Sequence, residues 1–232
     1  MIDHAKSSAL RPVRGVALSA VATLGLAGTA WAALAVWHIR LATTGEPSSG
    51  PPEQSDGGHR PLTALEDSYH FVNALTEGAT ALCAIVFLAW LWSVRDNARA
   101  LSGKSPRYAW PWMYAGWVLP VANLWVPRGI VADIHHASAP DTRLPQVVNW
   151  WWGLWLVGTL TGTGLMHAGT TDSVIARAYT DVPLLLLVDA AVVGAAVAGA
   201  FMVRAVTAAQ LVGITEPLPQ ATGSVVPDEQ VA

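Results

Sequence analysis

The sequence predicts an all-α integral membrane protein, a bundle of about five transmembrane helices with one short interfacial amphipathic helix. Three observations predict it. Of 232 residues, 53% are hydrophobic and only 12% charged, against roughly 25% charged in a soluble domain, so much of the surface does not face water. Uncharged runs recur that are long enough to cross roughly 30 Å of hydrocarbon at about 1.5 Å per residue. The cations gather between those runs rather than inside them, as expected of helices that satisfy their own backbone groups in lipid.

Lys6, Arg11 and Arg14 make residues 1–14 a cytoplasmic N-terminus. The uncharged stretch 15–39 exceeds the roughly 7–15 residues of a signal h-region, so it reads as an uncleaved first span. Residues 40–62 are rich in Gly, Pro and Ser and carry Glu46, Glu53 and Asp56. They bury too little apolar surface to offset ordering entropy and are expected as a flexible extracytoplasmic loop.

A membrane domain is expected over 63–210, opening on Thr63 and Glu66, which are spaced as a capping box. Its first span covers 71–94, and Arg95, Arg99, Lys104 and Arg107 follow as the densest cationic stretch. The uncharged segment 109–126 is expected as a kinked third span. Pro120 removes a helical hydrogen bond there, Asn123 one turn later is offered to a neighbouring helix, and Pro127 marks the end. Arg128 reaches toward headgroups. In 128–138, Ile130, Val131, Ile134 and Ala137 fall on one side and Arg128, Asp133, His135 and His136 largely on the other, the pattern of a helix on the membrane surface.

The next span, 147–168, opens with Trp150, Trp151, Trp152 and Trp155 and holds Gly158 and Gly162 at GxxxG spacing, which supports close helix approach. The last span, 182–204, carries the small-residue seam Ala191, Ala195 and Gly199. Residues 211–232 are Pro-containing and acidic and are expected as a disordered tail. Twelve tryptophans favour the headgroup boundary. Glu77 and Asp189 are intramembrane ionisable groups. Such groups are functional candidates by default, and a buried carboxylate must be protonated or paired.

The third segment decides the topology. If 109–126 crosses, Lys6, Arg11, Arg14, Arg95, Arg99, Lys104, Arg107 and Arg177 are cytoplasmic, eight of the 13 Lys and Arg. If it dips and returns, Arg128, Arg143 and Arg204 replace Arg177, giving ten of 13. The positive-inside rule prefers the hairpin. The cost of desolvating Arg128 and Asp133 prefers five spans, and five is the expectation taken from the sequence.

Arg95-Asp96-Asn97 after a Trp-rich span, then Gly116-Trp117, Pro120, Asn123-Leu124-Trp125, Pro127-Arg128, Asp133-Ile134, Ala137-Ser138 and Trp151-Trp152 together resemble the bacterial membrane family called domain of unknown function 4328. The resemblance covers roughly residues 69–210. It implies a multi-pass protein of the bacterial inner membrane and carries no activity with it.

Net charge is -3, so the basic stripe of a nucleic-acid binder is missing. Cys83 is the single cysteine and lies in an apolar run, which leaves neither a disulfide framework nor a thiolate cage. Asp133, His135 and His136 are the most metal-like group, with Glu66, Asp67 and His70 on hand. Adjacent histidines on a helix diverge by about 100°, and no HExxH spacing occurs, so no metal and no cofactor is expected. The functional reading is a non-enzymatic component that binds partners or serves the envelope, in contact with lipids, other membrane proteins or copies of itself. Its candidate junction is Arg95, Asn97, Pro120, Asn123, Pro127 and Arg128. The alternative is a small transporter or channel using Glu77 and Asp189 near the Pro120/Asn123 break.

Overall fold

The computed structural model describes residues 10–45, 62–165 and 171–215, and every regular element among them is helical. The elements are α1 (Val13–Thr44), the single turn α2 (Ala64–Asp67), α3 (Tyr69–Ser102), α4 (Trp112–Val118), a 3₁₀ turn (Ala122–Leu124), α5 (Val126–Ser138), α6 (Gln146–Leu165), α7 (Thr171–Thr180) and α8 (Val182–Thr215). Among the described residues, three stretches are long and apolar enough to cross a membrane: α1, α8 and the run Ala64–Ser102 that contains α3.

Helix α8 packs between α1 and α6, and α3 packs on α1. Contacts at the two ends fix the directions. The start of α1 meets the lower part of α3, where Arg11 bonds Asn97, and its far end meets α2, where Trp37 Nε1 donates to the Leu65 carbonyl at 2.9 Å. Helix α8 runs antiparallel to α1, from Asp189 beside His38 to Gln210 beside Asn97. We call the Arg11–Asn97 end of the bundle its base and the Trp37 end its top. Small residues permit the close approach of α1 and α8: an added Cβ would stand 3.2 Å from Ala196 Cβ at Gly28 and 3.4 Å from Leu24 Cδ2 at Gly199. The α6–α8 contact uses the expected glycines. A Cβ on Gly158 would stand 2.8 Å from Val192 Cγ2, so this spacing serves packing within the chain.

Segment 109–126 is not one kinked helix. Proline disfavours helical backbone in the residue before it, and Leu119 is extended at φ -77°, ψ 117°. Helix α4 therefore stops after 7 residues, about 10 Å and a third of a hydrocarbon core. The chain then doubles back. Gly116 sits so close to Val126 that an added Cβ would stand 2.7 Å from Val126 Cγ1, and Gly129 lies against the Tyr108 ring. Trp152 Nε1 donates to the Leu124 carbonyl at 3.2 Å and ties the returning limb to α6. Helix α5 then packs against α3, α6 and α8 at the base. It is more embedded than a surface helix, because His135 joins Ile130, Val131 and Ile134 on the buried side.

Three other expectations shift. Helix α1 continues through residues 40–44, and α8 continues past 211 to Thr215, so both elements begin or end outside their expected bounds. The remainder of the expected loop, 46–61, and of the expected tail, 216–232, lies outside the described residues, as does Lys6. The tryptophans divide. Trp110, Trp112, Trp125 and Trp150 are exposed around the hairpin and the start of α6, but Trp37, Trp90, Trp151 and Trp152 are buried. Phe87, Trp117, Trp151 and Trp155 form one aromatic cluster, with Trp117 5.7 Å from Phe87 and 5.9 Å from Trp155 between ring centres. Indoles are core material here because their large apolar area fills the space between α3, α6 and the short hairpin.

Candidate functional site

The base of the bundle is bolted by polar side chains from four elements. Asn97 Oδ1 accepts from the Arg11 amide at 2.8 Å, and its Nδ2 donates to the Arg11 carbonyl at 3.0 Å and to Gln210 Oε1 at 3.4 Å. Gln210 Nε2 donates to the Val94 carbonyl at 2.8 Å and to Ser138 Oγ at 3.4 Å. Asn97 and Gln210 are both fully buried. Arg11 lies ahead of the helix, so neither its N–H nor its C=O has an intrahelical partner, and Asn97 supplies both. One residue earlier, Asp96 pairs with Arg11 at 3.1 Å, with both side chains partly exposed. Arg95 Nη2 donates to the Tyr108 carbonyl at 3.0 Å and so pins the start of the hairpin. Three consecutive residues thus join the segment ahead of α1, α3, the hairpin and α8.

Arg128 is held by a side chain of α6. Its Nε and Nη2 donate to Asn149 Oδ1 at 2.9 and 2.7 Å and clamp α5 to α6, the fork geometry that guanidinium provides. Pro127 begins α5, where its missing N–H is not needed. Pro120 is exposed at the tip of the hairpin. Asn123 is only half-buried, and its Oδ1 has no hydrogen-bond partner among the described residues. Of the six junction residues, Arg95 and Asn97 lie at the base, Pro127 and Arg128 at the start of α5, and Pro120 and Asn123 at the hairpin tip.

At the top, His38 Nδ1 lies 2.7 Å from Asp189 Oδ2, with both side chains buried. Glu66 is buried as well. Its Oε2 accepts from the Thr63 amide and hydroxyl at 2.7 and 2.9 Å, closing the expected capping box, and its Oε1 accepts from Tyr179 at 2.9 Å. Glu77 stands elsewhere. It is exposed on α3 and accepts from Asn73 Nδ2 at 2.8 Å. Glu77 is thus exposed on α3, whereas Asp189 is buried against α1 and held by His38.

The metal-like group also separates. His135 faces inward, with Nε2 at 3.3 Å from the Arg143 carbonyl and 3.1 Å from Thr142 Oγ1. His136 faces outward, with Nδ1 2.7 Å from the Ala132 carbonyl. Asp133 Oδ2 accepts from the Arg107 amide at 3.0 Å. No three His, Cys, Asp or Glu side chains converge among the described residues. Burial holds the His135 imidazole below the usual histidine range, partly offset by the Arg143 carbonyl and reinforced by His136, so its neutral form is the one the fold selects.

Sequence reasoning missed Gln210, His38 and Trp90, whose Nε1 donates to Thr207 Oγ1 at 3.1 Å. A signal for Gln210 and Thr207 existed: both share the face of α8 that carries buried Val203 and Val206. No curated protein and no solved structure matches the chain. The family model described as Domain of unknown function (DUF4328) matches residues 62–208, more than half of the chain and all of the bolted base except the segment ahead of α1 and Gln210. The chain belongs to this DUF4328 family.

Proposed function

We propose that the protein is a non-enzymatic component of the bacterial cell membrane that holds lipids or other membrane proteins. In this reading α1, α3, α6 and α8 cross the bilayer, segment 109–126 is a re-entrant hairpin, and both ends of the described chain are cytoplasmic. Helix α6 is not among the three stretches named above, but its 20 residues carry no charge and measure about 30 Å. The four-crossing arrangement also places ten of the 13 Lys and Arg on the cytoplasmic side.

The observation that carries the non-enzymatic reading is how the interior carboxylates are used. Asp189 is paired with His38, and Glu66 with Thr63 and Tyr179. Each tie joins two helices or caps one, so these groups fix the bundle. Two measurements test the proposal. A reporter fused after Ala232 is expected to show cytoplasmic activity, and extracytoplasmic activity refutes the four-crossing arrangement. Proteoliposomes are expected to show no proton or solute flux above empty vesicles; flux that Asp189→Asn abolishes would establish a transporter instead.

A further inference from the structure

At the base, between the end of α3 and the outer side of α5, lies a pocket of about 400 Å³ lined by Arg95, Arg99, Ser102, Lys104, Asp133 and His136. Its cationic wall follows from helical spacing. Arg95, Arg99 and Ser102 recur at intervals of four and three on one face of α3, and Gly103 then turns the chain at φ 65° to bring Lys104 across the opening. Three cationic side chains face one carboxylate, and Asp133 already accepts from the Arg107 amide. Among the described residues Arg99 and Lys104 have no ion-pair partner, and Arg95 gives one Nη2 bond to Tyr108. The pocket is thus short of negative charge by more than its own residues supply.

We propose that this pocket binds a phosphate group presented by an anionic phospholipid of the surrounding leaflet. The inference rests on the proposed membrane arrangement, which sets Arg95–Lys104 just beyond the apolar part of α3, at headgroup depth. Basic pockets between helices on the cytoplasmic side are suited to such headgroups. Guanidinium forks match phosphate oxygens two at a time, and a lysine ammonium adds a mobile point charge. The apolar walls, Ala98, Ile134 and Ala137, give the glycerol end of a lipid a surface that free phosphate does not need.

The test uses the purified full chain in detergent, titrated with phosphatidylglycerol or phosphatidylcholine and read by native mass spectrometry. Wild type is expected to prefer the anionic lipid. Arg99→Gln and Lys104→Gln should each cut that preference about fivefold, and the double variant about twentyfold, the loss expected when cations near a lipid surface are removed. The double control Arg40→Gln/Arg143→Gln removes two exposed cations elsewhere and should leave the preference unchanged. Equal losses in control and pocket variants, or none in either, overturn the proposal. A third arm adds millimolar inorganic phosphate. Displacement of the lipid by phosphate would assign the pocket to a free phosphorylated solute and overturn the lipid as its source. Membrane insertion of each variant is followed in parallel, so a failed bundle is distinguished from a bundle that inserts normally with an empty preference.

Discussion

Asn97 and Gln210 show what a single amide contributes when no water can replace it. Asn97→Ala would strand the Arg11 amide and carbonyl together with one end of Gln210, and leaving a buried polar group unpaired costs about 1–3 kcal/mol. A fall of that size in unfolding free energy in detergent is expected, with a smaller one for Asp96→Ala, whose ion pair is partly exposed. His135 offers a second residue-level test. Its folded-state pKa is depressed by burial, so on acidification through about 6.5 the unfolded chain takes up the proton first. Its contribution to stability is complete above that value and is lost as pH falls. The thermal midpoint of wild type should drop between about pH 7.5 and about pH 5.5 by more than that of His135→Leu. If the two curves stay parallel, the imidazole is not the titrating group. At this scale Asn97 was legible through its Arg-Asp-Asn run, whereas Gln210 was legible only through its helical spacing from Val203, Val206 and Thr207, which marks a buried face and names no partner on it.

Among the elements, the hairpin separates what a sequence reports from what it hides. Absence of charge over 109–126 reports only that the segment avoids water. Whether it crosses or returns turns on Leu119, one residue whose backbone Pro120 holds extended. Arg128 and Asp133, whose desolvation argued for a crossing, find Asn149 and the Arg107 amide instead. Those partners are 21 and 26 residues away and no local pattern announces them. The glycines of α6 were legible, and their target is now defined. Gly158→Val places new atoms against Val192 and should lower stability by about 1–3 kcal/mol through overpacking. The oligomeric state, followed by light scattering in detergent, should not change. Dissociation of an oligomer in this variant would show that the glycine face is shared between copies.

For the whole molecule, the long helices followed from length and charge alone, and the all-helical fold class with them. Their order around α8 did not, because apolar faces rich in Ala, Leu and Val are interchangeable until buried polar ties select one arrangement. Two ties do so, Asn97–Gln210 at the base and His38–Asp189 at the top. Labelling with a membrane-impermeant maleimide, in a chain whose buried Cys83 is replaced by Ala, tests the resulting arrangement. Leu10→Cys, Ser105→Cys and Thr142→Cys should react from one side of the membrane and Thr63→Cys from the other. Reaction of Thr142→Cys on the Thr63 side would restore the crossing of 109–126.

Both ties, and the Trp90–Thr207 bond, share a further property: each joins a helix made early in synthesis to the last one. While the ribosome is still short of residue 182, His38, Trp90 and Asn97 have already emerged with their eventual α8 partners not yet translated. In the proposed membrane arrangement such groups invite rescue by whatever else can hydrogen-bond. A chain truncated before α8 is therefore expected to persist as an exposed client of membrane chaperones and proteases, and completion of the final helix is the event that releases it from their surveillance.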